Sequence, residues 1–115
     1  MRWFLRSKIH KATVTAAKLN YVGSIGLDQG LIEKVGILPG EKILVVDNTN
    51  GSRLETYVIA EERDSGSVAI YGAAARLIKK GDQVILMGFE LADKPVKIKN
   101  ILVDKNNKFV KFLQT

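Results

Sequence analysis

Two stretches of this chain, GILPGEKILVVD from Gly36 and RLIKKGDQVILMGF from Arg76, follow one plan. Each runs from the end of a short helix through a glycine–acid turn, Gly40-Glu41 or Gly81-Asp82, into an apolar strand. A chain of 115 residues supports one hydrophobic core and not two, so both copies must share it. Two such units set in β structure predict a pseudo-symmetric barrel, because closing a sheet on itself removes its exposed edges.

The remaining segments agree with a mainly β fold carrying short helices. RSKIHKATVTA has β-branched residues at Ile9, Thr13, Val14 and Thr15 and reads as a strand. DQGLIEKVG reads as a short helix, capped by Asp28 and closed by Gly36 in a left-handed conformation. EKILVVD and RLETYVIAEE are strands on either side of NTNG, whose Asn50-Gly51 is a hairpin signal. SVAIY is a further strand, GAAARLIKK a short helix, and QVILMGF a buried strand. VKIKNILV and KFVKFL form a last hairpin about Asn106-Asn107. No low-complexity linker divides the chain, so residues 1–115 read as a single domain.

Composition removes several chemistries. With no cysteine and one histidine, His10, the chain offers no disulfide, no thiolate nucleophile and no set of metal ligands. The amino terminus MRWFLRSK has three apolar residues together, short of the roughly 7 to 15 of a signal peptide, and nothing approaches the roughly 18 of a membrane span. A cytoplasmic, membrane-free protein is the expectation. The formal charge of +6 fits nucleic acid, an acidic surface or a small anionic substrate. Much of it is lysine alternating through the tail, as on the solvent face of strands.

One dipeptide has a chemistry of its own. Gly23-Ser24, in YVGSIGLDQG, lies where extended chain is read as giving way to a helix. A serine hydroxyl can attack the carbonyl of the preceding residue and turn the amide into an ester, and glycine there offers least hindrance and tolerates distorted torsions. If the serine then loses its α-proton, the ester carboxylate leaves, and hydrolysis of the resulting dehydroalanine gives a pyruvoyl group on a new amino terminus. Taken alone, the dipeptide is more often a plain turn.

KIHKATVT, YVGS, DQ, GILPGE, NTNGSRLETYVI and GAAA occur in order and spacing that resemble the pyruvoyl-dependent aspartate 1-decarboxylase family, from about Lys8 to Phe89; the tail after Leu91 matches weakly. The resemblance implies a double-psi β-barrel and a homotetramer with sites between neighbouring subunits. It implies self-cleavage between Gly23 and Ser24 into chains 1–23 and 24–115, and leaves open whether a maturation helper protein takes part. The implied activity converts L-aspartate to β-alanine and carbon dioxide for pantothenate synthesis, using a covalent pyruvoyl group from Ser24 and no metal.

Arg53 offers a planar fork for the carboxylate that survives. Tyr57, four residues on, shares its strand face by the period of two, and the family makes this tyrosine the proton donor. Thr56 is credited in the family with substrate contact and help in cleavage, although alternation points it to the other face; a twist or bulge there is the expectation. Lys8 and His10, two apart, form a basic edge facing the dianionic substrate. Gly72, Ala73 and Ala74 present backbone N–H groups for a carboxylate or oxyanion. Before them stands Tyr71, where the family usually has asparagine. It either points into a subunit contact or reaches the pocket, and the expectation is an unchanged substrate with slower maturation. Two other classes remain open at this stage: a small basic barrel that binds nucleic acid, against which the eight scattered aromatics speak, and a pyruvoyl enzyme for another amino acid.

Overall fold

The repeated turns are built alike in the computed structural model, which describes residues 1–114; Thr115, the last residue of the expected domain, lies outside them. Gly40 and Gly81 hold φ of 86° and 92°, a conformation that residues with a Cβ avoid. The amide of Glu41 donates to the Leu38 carbonyl at 3.1 Å, and that of Asp82 to the Lys79 carbonyl at 3.0 Å. Each acid returns a bond: Glu41 Oε1 accepts from the Leu38 N–H at 3.1 Å, and Asp82 Oδ2 from the Lys79 N–H at 3.0 Å. The flanking chain repeats as well. Gly40 N–H donates to Val58 O at 2.7 Å and Val58 N–H to Glu41 O at 3.0 Å, while Gly81 N–H donates to Val14 O at 2.8 Å and Val14 N–H to Asp82 O at 2.9 Å.

The elements are β1 (Arg2–Thr13), β2 (Ala16–Lys18), β3 (Ser24–Asp28), α1 (Gln29–Val35), β4 (Lys42–Asp47), β5 (Arg53–Glu61), β6 (Val68–Tyr71), a 3₁₀ turn (Gly72–Arg76), β7 (Gln83–Ala92), β8 (Lys99–Val103) and β9 (Phe109–Phe112). The fold is mainly β. β5 pairs antiparallel with β4 and parallel with β3. β1 pairs antiparallel with β7, and its continuation β2 parallel with β6. β4 meets β7, and β3 meets β6, both antiparallel, across the pseudo-symmetric centre. The strand order is β2-β6-β3-β5-β4-β7-β1-β8-β9. Since only Val14 and Thr15 separate β1 from β2, the chain that begins this order also lies near its other end, as the expected barrel requires. Ile9, Ile25, Leu27, Ile32, Val45, Ile70 and Leu86, fully buried, fill the common core.

The first helix follows its sequence signals. Asp28 Oδ1 accepts from the Gly30 N–H at 2.8 Å, Gly36 closes the helix at φ 75°, and Leu31, Ile32 and Val35 face the core.

Four readings change. Ser24 opens a strand, not a helix; β3 intervenes, buried along its whole length because β5 and β6 cover both its edges. The GAAA segment is a 3₁₀ turn of five residues, begun by Gly72 at φ 81°, a value no helix continues. In the tail, β8 is a buried strand parallel to β1, and the lysines are exposed as expected, yet Phe109, Val110 and Phe112 of β9 are exposed too. The aromatics are also less scattered than the sequence suggests, since Phe109 and Phe112 meet edge to face at 5.2 Å and Tyr21 stacks on Tyr71. Asn107 pins this hairpin down: its amide accepts from Thr13 N–H and donates to Thr13 O and Gly66 O, each at 2.8 Å.

Candidate active site around Gly23 and Ser24

Ser24 is buried and paired with Tyr71 in the antiparallel β3–β6 ladder. Its hydroxyl donates only to the Val22 carbonyl, at a long 3.4 Å, so it is loosely held. Gly72 lies against Gly23: a Cβ there would fall 2.6 Å from Gly23 Cα and 2.9 Å from Gly23 N. Only a residue without a side chain admits that approach. The structure therefore brings Gly23, Ser24, Gly72 and the start of the 3₁₀ turn together, as the sequence implied. The first N–H groups of that turn have no partner within it, and Tyr71 adds no side-chain cap.

The β3–β5 ladder begins with Ile25 opposite Val58, so Ser24 and Tyr57, the residues just before, lie side by side at its mouth. Arg53 and Tyr57 are both exposed, on the outer face of β5. Thr56 is half-buried on the inner face, and the β4–β5 register runs unbroken from Lys42↔Tyr57 to Val46↔Arg53. The bulge expected to turn Thr56 toward the site is absent, because every residue of β5 in this stretch keeps its partner on β4.

Lys8 and His10 share a half-buried face of β1, opposite Ile9. Burial first, then Lys8 and Lys11, lower the His10 pKa from its usual value; the imidazole is neutral near pH 7, and the positive charge on that edge belongs to lysine. His10 Nδ1 and Asn100 Oδ1 are buried without partners. No hydrogen bond or ion pair joins Lys8 or His10 to Ser24, Arg53 or Tyr57 among the described residues.

Tyr71 does not bond to the serine hydroxyl. Its phenol donates to Glu61 Oε2 at 2.6 Å, and its ring stacks on Tyr21 at 5.6 Å and 23°. The hydrogen bond to Glu61, together with burial, pushes the phenol pKa up to about 12, so it remains a donor. The Ser67 hydroxyl donates to the other oxygen of Glu61. Glu61 is a site-bordering residue that sequence reasoning missed. The signal was there: it continues the alternation Arg53, Tyr57, Glu61 along one strand face. What could not be read was Gly26, whose missing side chain makes room for that carboxylate.

Comparison with known proteins follows the same lines. The sequence model of the aspartate decarboxylase family matches residues 1–110. The chain is 52% identical to an aspartate 1-decarboxylase of Neisseria meningitidis and 54% identical to one of Caldicellulosiruptor saccharolyticus, in each case covering 93% of this chain and 87% of the relative. A third relative of the same name, from Bacillus subtilis, is 52% identical over 78% of this chain and 71% of its own length.

Proposed function

This chain belongs to the aspartate decarboxylase family, and from that premise we propose that it cuts itself between Gly23 and Ser24 and converts L-aspartate to β-alanine and carbon dioxide with a pyruvoyl group made from Ser24. β-Alanine so formed serves pantothenate synthesis. The observation that supports this reading most directly is the ladder that sets Ser24 beside Tyr57 while Gly72 presses on Gly23.

The residues present suit the group. Ser24 is buried and its hydroxyl loosely held, Gly23 has nothing within 4 Å of a Cβ position but the Tyr71 carbonyl at 3.9 Å, and Gly72 approaches the Gly23 backbone closely. In the cleavage, Ser24 Oγ adds to that carbonyl carbon, the Gly23–Ser24 C–N bond breaks, and an ester replaces the amide. Loss of the Ser24 α-proton expels Gly23 as a carboxylate; water then releases ammonia and leaves the ketone. The Gly72–Ala74 amides face the developing oxyanion.

When present, the pyruvoyl group supplies an electrophilic carbonyl for the substrate amine and accepts the electron pair left as carbon dioxide departs. Arg53 holds the surviving side-chain carboxylate through its planar fork. Tyr57, next to Ser24 in register, delivers the proton to the carbon that lost carbon dioxide. Lys8 and His10 stand apart from this cluster within one chain, which supports a site completed between copies of a homotetramer.

Intact mass under denaturing conditions tests the reading. The expected result is two chains, 1–23 and 24–115, with the second beginning in pyruvoyl; Ser24→Ala stays whole and makes no β-alanine. A wild-type chain that remains whole after prolonged incubation, with any helper supplied, overturns it.

A further inference from the structure

We infer that Tyr71, held by Glu61, latches the loop that carries the scissile bond and slows self-cleavage; the inference rests on the self-cleavage reading above. The loop has few other anchors. Leu19, Tyr21 and Val22 are 40%, 58% and 81% exposed, so no core packing fixes Leu19–Gly23. Tyr21 is instead sandwiched by neighbours at the surface: the Tyr71 ring stacks on it, and the Lys18 ammonium lies 5.1 Å from its ring centre.

Tyr71 is itself tied. Its phenol donates to Glu61 Oε2 at 2.6 Å, and the Ser67 hydroxyl holds the second oxygen of the same carboxylate. Glu61 reaches across β3 only because position 26 is glycine: a Cβ there would lie 2.4 Å from Glu61 Cδ and 2.6 Å from each carboxylate oxygen. A continuous set of contacts thus runs from the end of β5, over β3 two residues beyond Ser24, through the end of β6, to a residue three positions before Ser24.

The reaction geometry gives the latch its sign. Attack requires the Gly23 carbonyl carbon to turn toward Ser24 Oγ, whereas in the latched loop that hydroxyl is directed at the Val22 carbonyl, one peptide upstream. Turning the Gly23 peptide moves the chain before it, Tyr21 included, off the Tyr71 ring. A contact present in the resting loop and lost in the reacting one raises the barrier by what it contributes. A compact amide at position 71 would offer Tyr21 no ring to stack on.

Cleavage half-times followed by intact mass test this. Tyr71→Phe and Glu61→Ala each remove the phenol–carboxylate bond and are expected to cleave about two- to tenfold faster, the range for one lost aromatic contact or hydrogen bond. Glu61→Gln keeps an acceptor for the phenol and is expected to restore the wild-type half-time. The double variant Tyr71→Phe/Glu61→Ala is expected to be no faster than either single, because both break the same contact. Unchanged or slower cleavage in the singles, failure of Glu61→Gln to restore the rate, or additive acceleration in the double overturns the latch while leaving self-cleavage standing. A wild-type chain that never cleaves overturns the self-cleavage reading and the latch with it.

Discussion

Arg53 and Tyr57 occupy one exposed face of β5, four residues apart, and their roles separate cleanly by substitution. Arg53→Lys keeps the charge and loses the two-pronged geometry, so KM for aspartate should rise about tenfold or more while self-cleavage continues. Tyr57→Phe should still cleave and bind aspartate, with kcat reduced by about 10²-fold or more, as for a lost acid–base group. Steady-state kinetics on fully cleaved enzyme measures both; full turnover in Tyr57→Phe removes it from the donor role. This face could be read from the sequence because the period of two is local and needs no knowledge of neighbours. The position of Thr56 was legible for the same reason, and the unbroken β4–β5 register shows that alternation was the better guide to its orientation. Tyr71 was not legible: its stack, its acceptor and the gap that admits that acceptor come from Tyr21, Glu61 and Gly26, residues on three other segments.

At the level of elements, the two copies of the turn meet different partners, and the difference is titratable. Six residues after Glu41 stands Asp47, and six after Asp82 stands Gly88. Gly88 leaves room for the Arg6–Glu41 ion pair, since a Cβ there would fall 2.8 Å from Arg6 Nη2 and 3.1 Å from Glu41 Oε2. In the other copy Asp82 receives Asp47, a second acid, fully buried. Asp47 Oδ1 accepts from the Thr49 and Asn50 amides at 2.8 and 3.3 Å, while Oδ2 has no donor. Burial, then the neighbouring Asp82 carboxyl, raises the Asp47 pKa above the usual aspartate range; the Asp47 carboxyl in turn lowers that of Asp82. A raised carboxyl stabilises the fold fully below its unfolded pKa and loses that contribution as pH rises through the folded value. Asp47→Asn places a permanent N–H donor against Asp82 and keeps Oδ1 for the turn. Its unfolding midpoint at pH 7 should rise by several degrees, corresponding to about 1 kcal/mol, and its dependence on pH above the ordinary aspartate range should flatten. An unchanged midpoint and an unchanged pH profile would rule out the raised Asp47 carboxyl. The glycine–acid turns were evident in the sequence as a local repeat, whereas the acid opposite Asp82 depends on the β4–β7 pairing, which no local pattern displays.

Across the whole molecule, the strand order divides the residues assigned to catalysis into two groups. Ser24, Tyr57 and Gly72 gather where β3, β5 and β6 meet, while Lys8 and His10 lie on β1 in the part flanked by β7 and β8. His10 Nδ1 and Asn100 Oδ1, buried without partners, lie in the second group. The sequence showed the pairing of Lys8 with His10 through alternation, but their place on a different part of the strand order from Ser24 depends on the entire chain. If a neighbouring copy brings its Lys8 face to Ser24, two inactive chains should repair one another. Ser24→Ala cannot form the electrophile, and Lys8→Ala lacks the cation; each alone is expected to give little or no β-alanine. Co-assembled at random in equal amounts, they should form some sites with an intact Ser24 from one chain and an intact Lys8 from the other, restoring up to about a quarter of wild-type turnover. Sedimentation of the mixture verifies that tetramers form, and intact mass verifies that the Lys8→Ala chain has been cleaved. If tetramers form and cleavage occurs, yet the mixture makes no more β-alanine than its share of Lys8→Ala alone, then Lys8 acts within its own chain or not at all, and the division of the site between copies is wrong.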